Sequence, residues 1–499
     1  NYNIGIGYSA GNVLTTGIQN TIIGGLAGDS LTDSDFNVAV GYSALTSDTL
    51  GARNVAVGQE ALASQNFTTA TNSYNTAVGM QAGRLITTGV QNTLLGGLAG
   101  DELTDADNNV AVGYAALGTD TKGSQSTAVG VGALNNQNFT TATNSLNTAV
   151  GYHAGLAVTT GKENTLIGGS AGDALTDADF NVAIGFQSLS TDTLGSRSVA
   201  IGYNALVTQN FTTATNSFNT AIGFAAGESV TTGVDNTFVG ALAGDGTNDG
   251  TENVAVGKSA LSGNCGDNNT AVGKDSLEVT TGEDNTALGM SAGKSISTGN
   301  RNTVIGHDVA TSLQGGSDNV AIGDSVDVAA SLGNSITIGS GISATGSNDF
   351  SFGKASNVVT NDFDADANWS RSSDQRLKKN ITDQTLGLSF INDLRTVKYN
   401  WKANHELDSS DSQLAHLYKE NPEDNEMNTE VTMHNFIAQE VKAALDAAGV
   451  SDFGGWKEDQ YGVQQVSREM FVIPLVKAVQ ELSAQVTALQ AEVNTLKGG

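Results

Sequence analysis

Ser373 and Lys378 are the two residues of this 499-residue chain whose types and spacing could together do chemistry on the chain itself. A serine hydroxyl becomes a nucleophile when a base takes its proton, and a lysine amine can be that base when burial disfavours its charged form. Five residues of separation bring the two together only if the chain turns between them, and a solvated basic turn, Arg376-Leu377-Lys378-Lys379, has the same letters without any reaction. The other chemically suggestive groups are carboxylates. Asp29, Asp33 and Asp35 return as Asp101, Asp105 and Asp107, and again as Asp173, Asp177 and Asp179; oxygens so spaced can wrap a hard cation such as calcium. The glycine-rich nonapeptide of calcium-binding solenoids is absent, however, and aspartate favours turns for its own hydrogen-bonding reasons. No metal and no cofactor are expected.

The elements around Ser373 differ sharply on its two sides. Of 61 glycines only 7 lie beyond residue 360, whereas Pro422, Pro474, Trp369, Trp401 and Trp456, all the prolines and tryptophans of the chain, lie beyond it. Two differently built regions are joined here. The net charge of -29 opposes binding to phosphate backbones or anionic membranes, so no nucleic-acid partner is expected. Cys265 is the one cysteine, which rules out an intrachain disulfide. No apolar run reaches membrane-spanning length, so no membrane insertion is expected. Asn1 already falls inside the repeat pattern described next, and the chain reads as a fragment.

The first region is periodic. Asn3-Ile4-Gly5-Ile6-Gly7 recurs as Asn75-Thr76-Ala77-Val78-Gly79, then at Asn147 and at Asn219, a step of 72 residues. Within one step the motif returns at Asn20, Asn37 and Asn54, giving spacings of 17, 17, 17 and 21; a looser series continues to Asn334, with Ser126 and Ser198 in place of asparagine. In Asn37-Val38-Ala39-Val40-Gly41, alternation sends Val38 and Val40 to one face and Ala39 to the other, and neither face is polar. Such a segment reads as a strand buried on both sides, stacked in parallel into a solenoid of about twenty coils, with neighbouring identical chains covering the second face. The asparagines read as a ladder or as turns satisfying backbone groups. The loop Asn66-Phe67-Thr68-Thr69-Ala70, repeated at Asn138 and Asn210, fills the longer step and either protrudes for recognition or pads a corner.

Beyond residue 360 the pattern is globular. Leu386–Leu394 reads as a helix, Val397–Trp401 as a strand, Asp408–Glu430 as a solvated loop, and the run from Phe436 as entry to a helix ended by Gly449. Leu475, Val479, Leu482, Val486, Leu489, Val493 and Leu496 alternate steps of four and three, a heptad seam. Valine alternating with leucine leans toward two strands, but a three-chain solenoid upstream would commit more buried surface and favours three.

Two resemblances follow from these motifs. The Asn/Ser-x-Ala-x-Gly repeat resembles the heads of trimeric autotransporter adhesins, which implies a left-handed parallel β-roll built by three chains over residues 1–345; the 17-residue coil is longer than usual there. Ser373-Asp374-Gln375-Arg376-Leu377-Lys378-Lys379-Asn380-Ile381, Phe436-Ile437-Ala438-Gln439-Glu440-Val441, and Tyr461 followed by Ile473-Pro474-Leu475-Val476-Lys477-Ala478-Val479 resemble the endosialidase-type intramolecular chaperones of phage tail spikes and fibres. Asn435 departs from the glycine common in that family. The resemblance implies a mainly β, trimeric shaft (1–345), a linker (346–371), and a small α+β domain (372–499) ending in a coiled coil (474–497). It further implies that Ser373 is the nucleophile and Lys378 the base of a single-turnover cleavage in cis, between Ser372 and Ser373, with no activity on an external substrate. The expected protein is a homotrimeric, extracellular virion fibre that meets a host glycan or protein receptor. A bacterial surface adhesin or a polysaccharide-degrading spike is the alternative.

Overall fold

A computed structural model describes residues 2–362, the backbone of 366–371, and residues 373–425, 427 and 429–498. The chain forms two compact units, Asn1–Ser372 and Ser373–Gly499.

The first unit is a β-solenoid of about 21 turns. Each turn contributes a short strand, such as Thr21–Ile23, Val38–Val40 and Val55–Val57, and neighbouring strands pair in parallel without slip, Val38 opposite Thr21 on one side and Val55 on the other. The middle residue of each strand points into the coil. Ile22, Ala39, Ala56, Ala77 and Leu94 are completely or almost completely buried. The large residue on this inner line returns every fourth coil, as Ile22, Leu94, Leu166 and Phe238, because the 72-residue step resets the cross-section that alanines and the nearby Leu45 and Leu62 otherwise fill. The first and third strand residues point outward and remain partly exposed in the single chain. The cover expected on that second face is therefore not supplied from within the chain.

Glycine closes each strand for a steric reason visible at Gly41. Its φ is 136°, and a Cβ there would stand 2.4 Å from the carbonyl oxygen of Gly58, so no other residue fits without moving backbone. The motif asparagines form the ladder expected of them. The Asn37 amide donates to Asn20 Oδ1 at 2.9 Å, while Asn20 Nδ2 donates to the Ser34 carbonyl at 2.7 Å and Asn37 Nδ2 to that of Gly51 at 3.0 Å. One side chain thus satisfies the next coil's strand entry and a corner carbonyl, both sealed from water.

The 21-residue coil is held by a buried carboxylate. Asp48 Oδ1 accepts from the amides of Gly51 (3.0 Å) and Phe67 (3.1 Å), and its Oδ2 accepts from Gln65 Nε2 (2.6 Å). Gln65 Oε1 in turn accepts from Asn75 Nδ2 at 2.8 Å, linking loop and ladder. Asp120 and Asp192 repeat the arrangement. Phe67, Phe139 and Phe211 are buried by it, and the following Thr68–Ala70, Thr140–Ala142 and Thr212–Ala214 are exposed. The loop pads a corner with its phenylalanine and presents its tip to solvent. From Thr303–His307 the strands lengthen, and after Asp349–Lys354 the sheet continues antiparallel through Asn357–Asp362 and Asp366–Arg371.

In the second unit, helix α1 (Leu388–Asn392) is followed by the antiparallel strands Val397–Tyr399 and Met433–Asn435, helix α2 (Ala438–Ala447), the hairpin Trp456–Glu458 with Gln464–Val466, and helix α3 (Val472–Lys497). Its core is small: Leu386, Phe390, Val441, Ala444, Leu445 and Phe471, with Phe436, Phe453 and Trp456 packed against them. Helix α3 begins two residues before Pro474, which therefore sits in the first turn, where a missing amide hydrogen costs nothing. Leu475, Val479, Leu482, Val486, Leu489, Val493 and Leu496, the heptad residues, are all exposed on the single chain.

Candidate active site

Ser373 and Lys378 meet because Asp374 starts a tight turn. Asp374 takes an extended conformation (φ -60°, ψ 131°), and its carboxylate accepts the Arg376 amide at 2.8 Å, capping a single 3-10 turn over Gln375–Leu377. The turn closes when the Lys378 amide donates to the Gln375 carbonyl at 3.0 Å. Across it, Lys378 Nζ donates to Ser373 Oγ at 2.7 Å. The two groups that spacing alone left ambiguous are in direct hydrogen-bond contact.

Arg376 turns back onto Asp374, with Nε 3.0 Å from Oδ1 and Nη2 2.6 Å from Oδ2. That guanidinium, then the Arg376 backbone amide and Lys378, hold the Asp374 carboxyl below the usual carboxylate range. Asp374 is thereby kept ionised, which preserves the cap. Arg376 pairs with this acid and so orients the turn. Ser373 and Lys378 are both exposed. A lysine acts as a base when its charged form is desolvated, and the single chain supplies no such burial at this turn. Ser372, on the other side of the expected scissile bond, lies outside the described residues.

The acidic loops are engaged otherwise than around an ion. Asp35 Oδ1 accepts the Ile18 amide at 2.8 Å, Asp33 accepts the Thr16 hydroxyl, and Asp29 accepts that of Thr46 at 2.5 Å. Each of these three carboxylates bonds to an adjacent coil. Among the described residues no group of three or more His, Cys, Asp or Glu side chains is arranged to hold a metal.

Several contacts of the second unit have no signal in local sequence. Glu481 of α3 accepts the Leu388 amide at 2.8 Å and so caps α1 across 93 residues. Arg395 reaches Glu440, within the Phe436–Val441 run, with Nη2 2.5 Å from Oε1. A cleft of about 850 Å³ lies between the two strand pairs, lined by Trp401, His416, Asp459 and Gln465 among others. Asn435, the departure from glycine, ends an extended strand opposite Val397, and its Oδ1 accepts the Phe436 amide at 2.9 Å. Its φ is not positive, so the position makes no demand for glycine here.

A protein-family model described as the chaperone of endosialidase, Peptidase_S74, matches residues 373–450, beginning at the serine of this turn. No curated protein shows a significant match to the chain. A long β-solenoid followed by a region that matches this family model has the organisation of a tail-fibre-like structural protein with an intramolecular chaperone. Among the described residues no helix is long and apolar enough to cross a membrane.

Proposed function

We propose that the solenoid is the shaft of a homotrimeric virion fibre, and that the second unit assists its assembly and then releases itself by cleaving between Ser372 and Ser373. Ser373 Oγ adds to the Ser372 carbonyl carbon as its proton passes to the Lys378 amine. The amide breaks with a proton delivered to the freed nitrogen, and water hydrolyses the resulting ester. The observation that carries this reading is the 2.7 Å contact between Lys378 Nζ and Ser373 Oγ, at the first residue of the chaperone-family match. Assembly completes the site by burying Lys378 against neighbouring copies, so that release follows trimer formation.

A physical need supports the same reading. A parallel solenoid joining three chains depends on non-local pairing, which nucleates slowly and exposes strand edges to wrong partners. A C-terminal unit that associates first, through the exposed heptad seam of α3, sets stoichiometry, and cleavage makes disassembly hard to reverse. The three exposed loop tips at Thr68–Ala70, Thr140–Ala142 and Thr212–Ala214 are the surfaces offered to an extracellular host receptor, where repetition multiplies a weak affinity.

The test is expression of wild type beside Ser373→Ala and Lys378→Ala, read by denaturing gel and intact mass. Wild type is expected to yield a shaft ending at Ser372, and both variants to stay full length. A wild-type trimer that remains uncleaved removes the self-cleavage reading, and normal cleavage in both variants removes the assignment of the pair.

A further inference from the structure

The carboxylate nearest along the chain to the Ser373–Lys378 pair is Asp374, the residue after the serine. An ammonium prefers a carboxylate to a neutral hydroxyl, because a hydrogen bond between charged groups is the stronger. Asp374 is therefore the natural partner for Lys378. Yet Lys378 Nζ points at Ser373 Oγ, 2.7 Å away, and among the described residues no carboxylate lies within ion-pair distance of it.

Arg376 accounts for the difference. Its Nε lies 3.0 Å from Asp374 Oδ1 and 3.1 Å from Oδ2, its Nη2 lies 2.6 Å from Oδ2, and its backbone amide gives Oδ1 a further bond at 2.8 Å. Both oxygens thus take hydrogen bonds from one residue. A planar guanidinium fork can do this and the single nitrogen of a lysine cannot, so in the order Asp374, Arg376, Lys378 the carboxylate goes to the arginine and the lysine is left over. Of the groups that hold the Asp374 carboxyl below its usual range, the Arg376 side chain is the largest influence and Lys378 the smallest, so the lysine is felt by the acid without binding it. Asp374, Arg376, Lys378 and Lys379 are the charged groups of the turn, and among the described residues no other helix or strand of the second unit packs closely against it.

We infer that Arg376 is a positioning residue for the cleavage proposed above: by occupying both oxygens of Asp374 it keeps that carboxylate from capturing Lys378, whose amine is left to serve Ser373. The inference rests on the self-cleavage reading and adds what the lysine must be shielded from. Without Arg376, Lys378 turns to Asp374, the carboxylate holds the ammonium proton in place, and the Ser373 hydroxyl loses its base. The bonds made and broken stay the same; only the starting position of one amine changes.

The test follows cleavage of the full chain. Protein unfolded in denaturant is diluted into buffers from neutral to alkaline pH, released shaft is read by denaturing gel, and assembly is read in parallel by native mass spectrometry. Arg376→Ala is expected to assemble like wild type, to cleave about tenfold more slowly at neutral pH, and to reach half its maximal rate about one pH unit higher, the order of effect of an adjoining opposite charge. Adding Asp374→Asn removes the carboxylate while leaving a side-chain oxygen to cap the turn, and is expected to return the profile to that of wild type. A residue that merely braced the turn would not be rescued in this way. Arg376→Ala cleaving with the wild-type profile, or the double variant remaining as slow as Arg376→Ala, overturns the inference. If Arg376→Ala does not assemble, Arg376→Gln, which keeps a donor but not the charged fork, decides in its place by the same two readings. Wild type that assembles and stays uncleaved at every pH overturns the self-cleavage reading itself, an outcome told apart from the others by the absence of any released shaft.

Discussion

The two units hold their carboxylates in opposite ways. In the solenoid, burial pushes the carboxyls of Asp48, Asp101, Asp173 and Asp245 upward. In the second unit, hydrogen bonds on an exposed surface push carboxyls downward: Asp374 through Arg376, Asp408 through Ser410, and Glu440 through Arg395. Glu60 and Asp318, on the solenoid surface, behave like the second group because Gln81 and Arg301 donate to them. The difference follows from construction. The solenoid seals polar groups into ladders that repeat coil after coil, whereas the second unit closes around six buried side chains and relies on exposed polar turns. A structure of the first kind is suited to persist, and one of the second kind can be given up.

Breaking the cores separates the two most strongly. Phe471 packs against Phe436 at 4.9 Å and Phe453 at 5.1 Å between ring centroids, so Phe471→Ala should cost about 3–5 kcal/mol, a large share of a small unit's stability. Denaturant titration followed by tryptophan fluorescence, to which Trp401 and Trp456 of that unit contribute beside Trp369 of the first, should show that unit unfolding early. Leu94→Ala removes a comparable volume from the solenoid, yet its effect should stay within the adjoining coils because solenoid stability is a sum of neighbour terms. Loss of the whole solenoid on Leu94→Ala would break the comparison.

The ladder gives a smaller effect. Asn109 Oδ1 accepts the Ser126 amide at 2.8 Å and its Nδ2 donates to the Gly123 carbonyl at 2.9 Å. Asn109→Ala leaves both groups buried without a partner, at a cost of about 2–3 kcal/mol. Hydrogen exchange at Ser126 should accelerate while coils a few turns away keep their protection.

Acid should move the units in opposite directions. A carboxyl whose folded pKa is raised contributes stability that is present below its unfolded value and lost as pH rises through the folded value. Asp48, Asp101, Asp173 and Asp245 therefore favour the solenoid as pH falls from neutrality toward 4. For Asp374, Asp408 and Glu440 the folded pKa is lowered, so their contribution is present at neutral pH and is lost as pH falls through the depressed value. Thermal melts at pH 7 and near pH 4 should show the solenoid transition holding or rising. Melts carried below the usual carboxylate range should show the second unit's transition falling. A fall in the solenoid transition between pH 7 and pH 4 would contradict the role given to its buried acids.

Much of the solenoid was legible because its period is short and its chemistry strict. The 17-residue step, the closing glycine and the alternation in Val38-Ala39-Val40 are enough to predict stacked parallel strands, and the asparagines predict a ladder or turns, of which the structure has the ladder. The inner and outer faces were harder to tell apart, since Val and Ala are both apolar and only the cross-section of the coil makes Ala39 the inner residue. Phe350-Ser351-Phe352-Gly353 keeps the alternation and closing glycine of the coils, although residues 346–371 read as a linker, whereas the antiparallel strands Asn357–Asp362 and Asp366–Arg371 have no repeat to announce them. At the candidate site the letters of Ser373 and Lys378 were readable, but their contact depends on the Asp374 cap and the 3-10 turn, and a spacing of five predicts neither. The Glu481 cap on α1 joins residues 93 apart, beyond any local pattern.

The smallest effect tests whether backbone ladders or surface contacts shape the coils. The Arg53 guanidinium lies 4.7 Å from the Phe36 ring centroid and 5.9 Å from that of Tyr74, and its Nε donates to Asn72 at 3.1 Å. Arg197 repeats this over Phe180 and Phe218. The intervening unit has Gln125 between Asn108 and Leu146 at the same places, and its strands Val110–Val112 and Thr127–Val129 pair in the same parallel register. The chain thus contains its own control for the missing arginine. An exposed cation over an aromatic ring is worth about 0.5–1 kcal/mol, so Arg53→Gln should lower the solenoid melt only slightly, and the double change with Arg197→Gln by about twice as much. A much larger loss would mean that the arginines hold the corners, and that the solenoid's independence from its surface, the property that most separates it from the second unit, is weaker than its buried ladders imply.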